Sequence, residues 1–198
     1  LERKVAAQPH PYIYVGIGSN LGDRDGNLSR AISALEMAGF RILAASSIYE
    51  TEPVDYAQQP WFLNQVVRIG SREKLTGEPS GPAGALDCLL SIEKTLGRER
   101  GSRGGPRIID LDLLLYGSAV IGYPESNGQD PNTLEQSTWK LDGHSDLIVP
   151  HPRLHLRRFV LVPLHELAAD LVHPVLRKTV DELLREITDT SAVRLYRG

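Results

Sequence analysis

Cysteine is scarce in this sequence, basic charge is not in excess, and no long apolar run occurs; each scarcity removes a class of protein. Cys88 is the single cysteine among 198 residues, which excludes an intrachain disulfide framework and a thiolate zinc cluster. Histidine occurs six times, but no His-Glu-x-x-His or comparable zinc spacing is present. The apolar runs fall far short of the ~20 residues a membrane span needs, and no signal-peptide core is visible. A soluble, cytoplasmic protein without membrane contact is therefore expected. Lys and Arg number 22 against 25 Asp and Glu, a net charge of -3, which argues against a broad nucleic-acid surface. Repeats and low-complexity tracts are also missing.

What remains is a chain that is 41% hydrophobic and 24% charged, enough for one domain with a proper core. Residues 1–11 show no periodicity and are read as a tail, leaving 12–198 as the domain. The most informative stretch is GGPRIIDLDLLLYG at 104–117. From Arg107 to Tyr116 it reads as a strand, whose period of two places Asp110 and Asp112 on one face with Ile108, Leu114 and Tyr116. Ile109, Leu111, Leu113 and Leu115 fill the other face. Both faces are apolar enough to be covered, so a central strand is expected. Ionised carboxylates in such a place cost several kcal/mol unless they are paired or bound to a cation. A divalent metal accounts for them economically.

Upstream, Tyr12–Ile17 reads as the first strand and runs into the Gly/Asn/Asp-rich turn GSNLGDRDGN. That turn lacks the ending of a P-loop and does not fit G-x-G-x-x-G. Leu28, Ala31, Ile32, Leu35 and Ala38 recur at helical spacing, with Gly39 as the stop. Phe40–Glu52 is read as a second strand ended by Pro53, and residues 61–70 as a third, antiparallel to it, carrying Phe62, Asn64 and Val66 on one face. A second helix is expected over Ala85–Leu96 with Leu86, Leu89, Leu90 and Leu96 as its apolar stripe and Glu93 on or beside the packed face. The loop that follows carries Arg98, Arg100, Arg103 and Arg107, with glycines that let these side chains reach phosphate oxygens. Cations beside an acid pair are the components of polyphosphate chemistry.

From 118 to 146 the chain turns polar and irregular and is read as a surface insertion around 122–143. Beyond it, Leu147–Val149 is expected to form a short edge strand, and a short helix to start near Pro163. Thr179 followed by Glu182 forms a capping box for a last helix through Ile187. His151 and Arg157 stand where the chain returns from the insertion and are the functional candidates of this region.

Taken together, YVGIGSNLGDR, SSIYETEPV with PWFLN, IEKTLGRER, GPRIIDLDLLLYG and VPHPRLHLRRFVLVPL resemble the 6-hydroxymethyl-7,8-dihydropterin pyrophosphokinases of folate biosynthesis. The resemblance implies an α/β (α+β) domain of the ferredoxin-like kind, in three layers with a central, mostly antiparallel sheet and flanking helices. It implies transfer of diphosphate from ATP to the pterin hydroxymethyl group, giving AMP, with two Mg2+ ions on Asp110 and Asp112. Arg103 and Arg107 then match catalytic basic positions. Glu93, Arg98, Arg100, Leu113, His151 and Arg157 match the nucleotide side, and Thr51, Pro53, Val54, Phe62, Asn64 and Phe159 match the pterin pocket. The implied partners are the pterin and ATP, with a monomer expected and no nucleic acid. Gly104 stands where well-known members carry a Trp, the loop is one residue shorter than theirs, and no general base is evident. Two rivals are an RNA-recognition module, whose RNP1 pattern is missing, and a nucleotidyltransferase, which also uses an Asp-x-Asp strand.

Overall fold

The computed structural model describes residues 12–54, 57–70, 81–98, 105–123 and 147–198. Among these residues six strands form one sheet, and every pairing among them is antiparallel. The strands are β1 (Ile13–Ser19), β2 (Arg41–Ala45), β3 (Tyr49–Thr51), β4 (Phe62–Gly70), β5 (Asp110–Tyr116) and β6 (Val193–Leu195). Their order is β5-β1-β4-β3-β6, with β2 also on β4. Helices α1 (Arg24–Met37) and α2 (Gly81–Thr95) contribute to one face, where Leu28, Leu35 and Leu89 pack under Val15, Ile17, Leu63 and Leu111. On the other face, α3 (Arg158–Ala168) and α4 (Val180–Glu186) bring Leu161, Leu164 and Leu183 onto Tyr14, Val66 and Leu114. The result is the expected three-layer α/β arrangement. Among the described residues, no helix is long and apolar enough to cross a membrane.

The helix boundaries follow local chemistry. Asp23 caps α1 by accepting the Gly26 N–H, and Gly39 leaves it at φ 88°. The capping box at Thr179 and Glu182 is present, and α4 ends at Glu186. Helix α3 starts at Arg158, earlier than the expected start at Pro163, and holds that proline inside. Proline forfeits one i to i-4 bond there, but Val160, Leu161 and Leu164 are buried on the sheet, and that packing outweighs the local penalty.

Three other expectations change. The single strand read over Phe40–Glu52 is two strands, because Ser46 leaves the ladder. Its N–H donates to the Val66 carbonyl, its hydroxyl accepts from Val66 N–H, and its carbonyl accepts from Gln65. Just beyond it, Ser47 and Tyr49 donate to Glu166 of α3, which fixes the bend. Among the described residues, strand β5 is not central but the edge of the sheet, paired with β1 alone. Its outer side receives a bond from His151 N–H to the Leu114 carbonyl, 2.8 Å, beside a single bridge between Ile121 and Val149. That bridge is all that forms of the edge strand expected over Leu147–Val149. Finally, the β1–β5 register slips by one residue between Tyr14 and Val15. A one-residue slip reverses the faces beyond it, so Leu115 joins the α3 side while Tyr116 packs on the α1 and α2 side.

Candidate active site

The site is built on one row of residues across the sheet. In the register of β5, β1 and β4, Asp110 lies opposite Gly18, and Gly18 lies opposite Asn64. The next row on the same face runs Asp112, Gly16, Val66. Strands are ~4.8 Å apart, so about 10 Å of sheet separates the backbone of the acids from that of the amide. In these two rows the strand between them, at Gly16 and Gly18, carries no side chain. A Cβ on Gly18 would stand 2.8 Å from Asn64 Oδ1, so the glycine is what permits the amide its position. The cleft above measures about 1220 Å³ and is lined by both rows, by Thr51, Pro53, Val54 and Phe62, by Glu93 and Arg98, and by Arg107, His151, Arg157 and Phe159.

At its acidic end, Asp110 is held on both oxygens. Arg98 reaches Oδ1 and Arg107 reaches Oδ2, each at 2.7 Å. Burial pushes the Asp110 carboxyl above the usual range and Asp112 adds to this, while Arg107 and Arg98 pull the other way. Glu93 is 3% exposed and bonds Arg98 on one side and the Leu111 N–H, at 2.6 Å, on the other. Burial raises it to about 7, against the pull of those two donors. It therefore ties α2 to the strand between the two aspartates. His151 is pulled down to about 3 by burial, with Arg157 and Arg153 adding to the effect. Its Nδ1 accepts the Arg153 N–H, so the neutral ring carries its proton on Nε2 and offers a donor.

At the other end, Asn64 donates from Nδ2 to Thr51 Oγ1 at 2.7 Å, which leaves its Oδ1 on the Gly18 side. Phe62 and Phe159 both line the cleft, and each carries an arginine over its ring: Arg107 at 5.6 Å from the Phe62 centroid and Arg157 at 5.4 Å from that of Phe159. These rings hold flat cationic groups by cation–π attraction.

The expected site residues thus converge, with one exception among those described. Leu113 is 5% exposed in the core beneath the sheet and does not line the cleft. Arg100, Arg103 and Gly104, and the insertion from 124 onward, lie outside the described residues. Leu90, expected in the apolar stripe of α2, is 41% exposed and faces the cleft instead. Sequence reading missed Gln59, Ser91 and Lys94 as lining residues. It also treated GSN as an ordinary turn, although Ser19 ends β1 and both it and Asn20 are almost fully buried, which is unusual for polar residues.

Comparison with known proteins fits this geometry. The family model for 7,8-dihydro-6-hydroxymethylpterin-pyrophosphokinase (HPPK) matches residues 14–169. The chain is 37% identical to the 2-amino-4-hydroxy-6-hydroxymethyldihydropteridine pyrophosphokinase of Methylorubrum extorquens, covering 92% of this chain and 97% of that one. It is 35% identical to the Bacillus subtilis protein of the same name, covering 93% and 89%. Against the Pneumocystis carinii folic acid synthesis protein fol1 it is 33% identical, and there it spans only 20% of the relative's length. A crystal structure of a Plasmodium falciparum HPPK-DHPS triple mutant shares the fold at a TM-score of 0.63 and 17% identity, over 92% of this chain and 45% of that one. By the extent of the family match and the full-length bacterial relatives, this chain belongs to the 7,8-dihydro-6-hydroxymethylpterin-pyrophosphokinase family.

Proposed function

We propose that the protein transfers the terminal diphosphate of ATP to the hydroxymethyl group of 6-hydroxymethyl-7,8-dihydropterin, giving AMP and the pterin diphosphate, as a step of folate biosynthesis. The row Asp110, Gly18, Asn64 carries this reading. It offers a bare floor for a flat heterocycle, with an amide to read its edge and acids where the phosphates would lie. Asn64 and Thr51 supply the rim bonds, and Phe62 and Phe159 supply apolar faces.

The acid pair suits magnesium. Among the described residues no cluster of three or more metal-ligating side chains exists, and Mg2+ characteristically takes one or two carboxylates and completes its shell with water and phosphate oxygens. Asp110 and Asp112 would hold it, and when bound it would neutralise charge on the phosphate oxygens. Reaction is in-line: the pterin hydroxyl oxygen forms a bond to the β-phosphorus and gives up its proton to solvent, as the bond from that phosphorus to the oxygen bridging to the α-phosphate breaks and AMP leaves with that oxygen. Arg98 and Arg107 sit beside the acids and serve the phosphates as bidentate donors. Arg103 and Arg100, between them in the sequence, belong to the same set. Glu93 orients Arg98 and β5, while His151 and Arg157 serve the nucleotide side. The protein's part is thus positioning and electrostatics, and the general-base role is assigned to no side chain. We include in the proposal a monomer acting in the cytoplasm.

The test is product identity with ATP, magnesium and the pterin. AMP and pterin diphosphate are expected. Release of pyrophosphate would favour a nucleotidyltransferase, and no turnover a binding module. Normal AMP formation by Asp112→Ala would remove that residue from the assignment.

A further inference from the structure

Asn20 follows β1 and is 2% exposed, and each polar group of its side chain and its N–H is engaged. Its N–H donates to the Arg107 carbonyl at 3.1 Å, and its Oδ1 accepts the Arg107 N–H at 2.7 Å. From Nδ2 it donates to Gln59 Oε1 at 3.1 Å and to the Pro60 carbonyl at 3.0 Å. Strand β5 begins only at Asp110, so no ladder bond of that strand holds Arg107. Asn20 supplies the missing pair: two bonds to one residue fix its backbone orientation as well as its place. The Arg107 side chain departs from that held backbone and reaches both Asp110 Oδ2 and the face of Phe62. The other arm of Asn20 holds the segment that leads into Phe62. Arg107 and Gln59 line the cleft, whereas Asn20 does not.

We propose that Asn20 is a positioning residue for diphosphate transfer, locking the Arg107 backbone to the Gln59–Pro60 segment so that the guanidinium stands between the metal-binding acid and the pterin-stacking ring. The proposal rests on the reading above, in which Arg107 acts on the phosphates. A buried amide with all its bonds made is also a stabilising feature, so stability alone does not test it.

The experiment is a double-mutant cycle on turnover, with KM for each substrate and a thermal midpoint for every variant. Asn20→Ala is expected to lower kcat by roughly 10-fold or more while leaving KM for ATP within about threefold. In an Arg107→Ala background the same change is expected to cost less than about twofold, because the group it positions is gone. Full, multiplicative losses would overturn the role of Asn20 while leaving Arg107 in the mechanism. Unchanged turnover in Arg107→Ala alone would overturn both. Should Asn20→Ala fail to fold, Asn20→Ser, whose shorter side chain does not span the two segments, enters the same cycle with the same expectations.

Discussion

Gly18 and Asn64 face each other across β1 and β4 so closely that a single methyl group on Gly18 would come within 2.8 Å of the Asn64 amide oxygen. Asn64 is tied to Thr51 through its nitrogen, so it has little room to give. Gly18→Ala is therefore expected to turn the amide out of place and raise KM for the pterin by about 10-fold, with KM for ATP changed less than about twofold. Steady-state kinetics with each substrate varied in turn decide this. Equal effects on both would mean that the methyl group disturbs the whole sheet.

Glu93 is a structural anchor as well as a carboxyl group lining the cleft. Glu93→Ala leaves the buried Leu111 N–H without its acceptor and takes one of two acidic partners from Arg98. A loss of about 2–3 kcal/mol of stability is expected, read as a lower denaturant midpoint. A variant as stable as the parent would show that water replaces the carboxylate there without penalty.

The capping box on α4 gives a stability test remote from the chemistry. Thr179 and Glu182 each accept from the other's backbone N–H. Thr179→Ala is expected to cost about 1 kcal/mol with kcat unchanged. A fall in kcat at equal folded fraction would mean that α4 reaches the site through α3.

Acid sensitivity has a candidate in His173. Burial lowers this histidine to about 4, and the nearby His155 adds to the effect. An unfolded chain takes up that proton near 6.5, so between pH 6.5 and 4 the unfolded state carries more protons than the folded one. Stability is then expected to drop as the pH falls through that window. His173→Asn keeps an acceptor for the Val175 and Leu176 N–H groups and is expected to flatten the acid limb of a stability–pH profile. Identical slopes in parent and variant would discount His173 as the source.

Local pattern made the chemistry of the site legible before its geometry. The spacing of Asp110 and Asp112 placed them on one face, and the chain around Asn64 and Phe62 assembled as a strand on that spacing. Where reading failed, a side chain had replaced a regular backbone interaction. Ser46 took over ladder bonds with its hydroxyl and split one strand into two. The slip beside Leu114 reversed the last residues of β5, and alternation alone has no marker for it. Strand β6 is short and mostly exposed, so it carries little hydrophobic signal and forms because β3 offers it an edge. Asn20 was hidden for a further reason: its four contacts join residues some 40 and 87 positions away, a relation that no local window contains.

The bare floor at Gly16 and Gly18 also bears on how inhibition of such a site would fail. A compound lying on main chain takes its contacts from peptide groups, which no coding change deletes, so escape by trimming a side chain is closed there. Escape requires added bulk, and the two positions differ in how well they tolerate it. At Gly18 the new group collides with the Asn64 amide. At Gly16 it would meet the Leu114 side chain at 3.5 Å, an ordinary contact. Resistance arising from the floor is thus channelled to position 16, where the extra methyl group takes room from substrate and inhibitor alike.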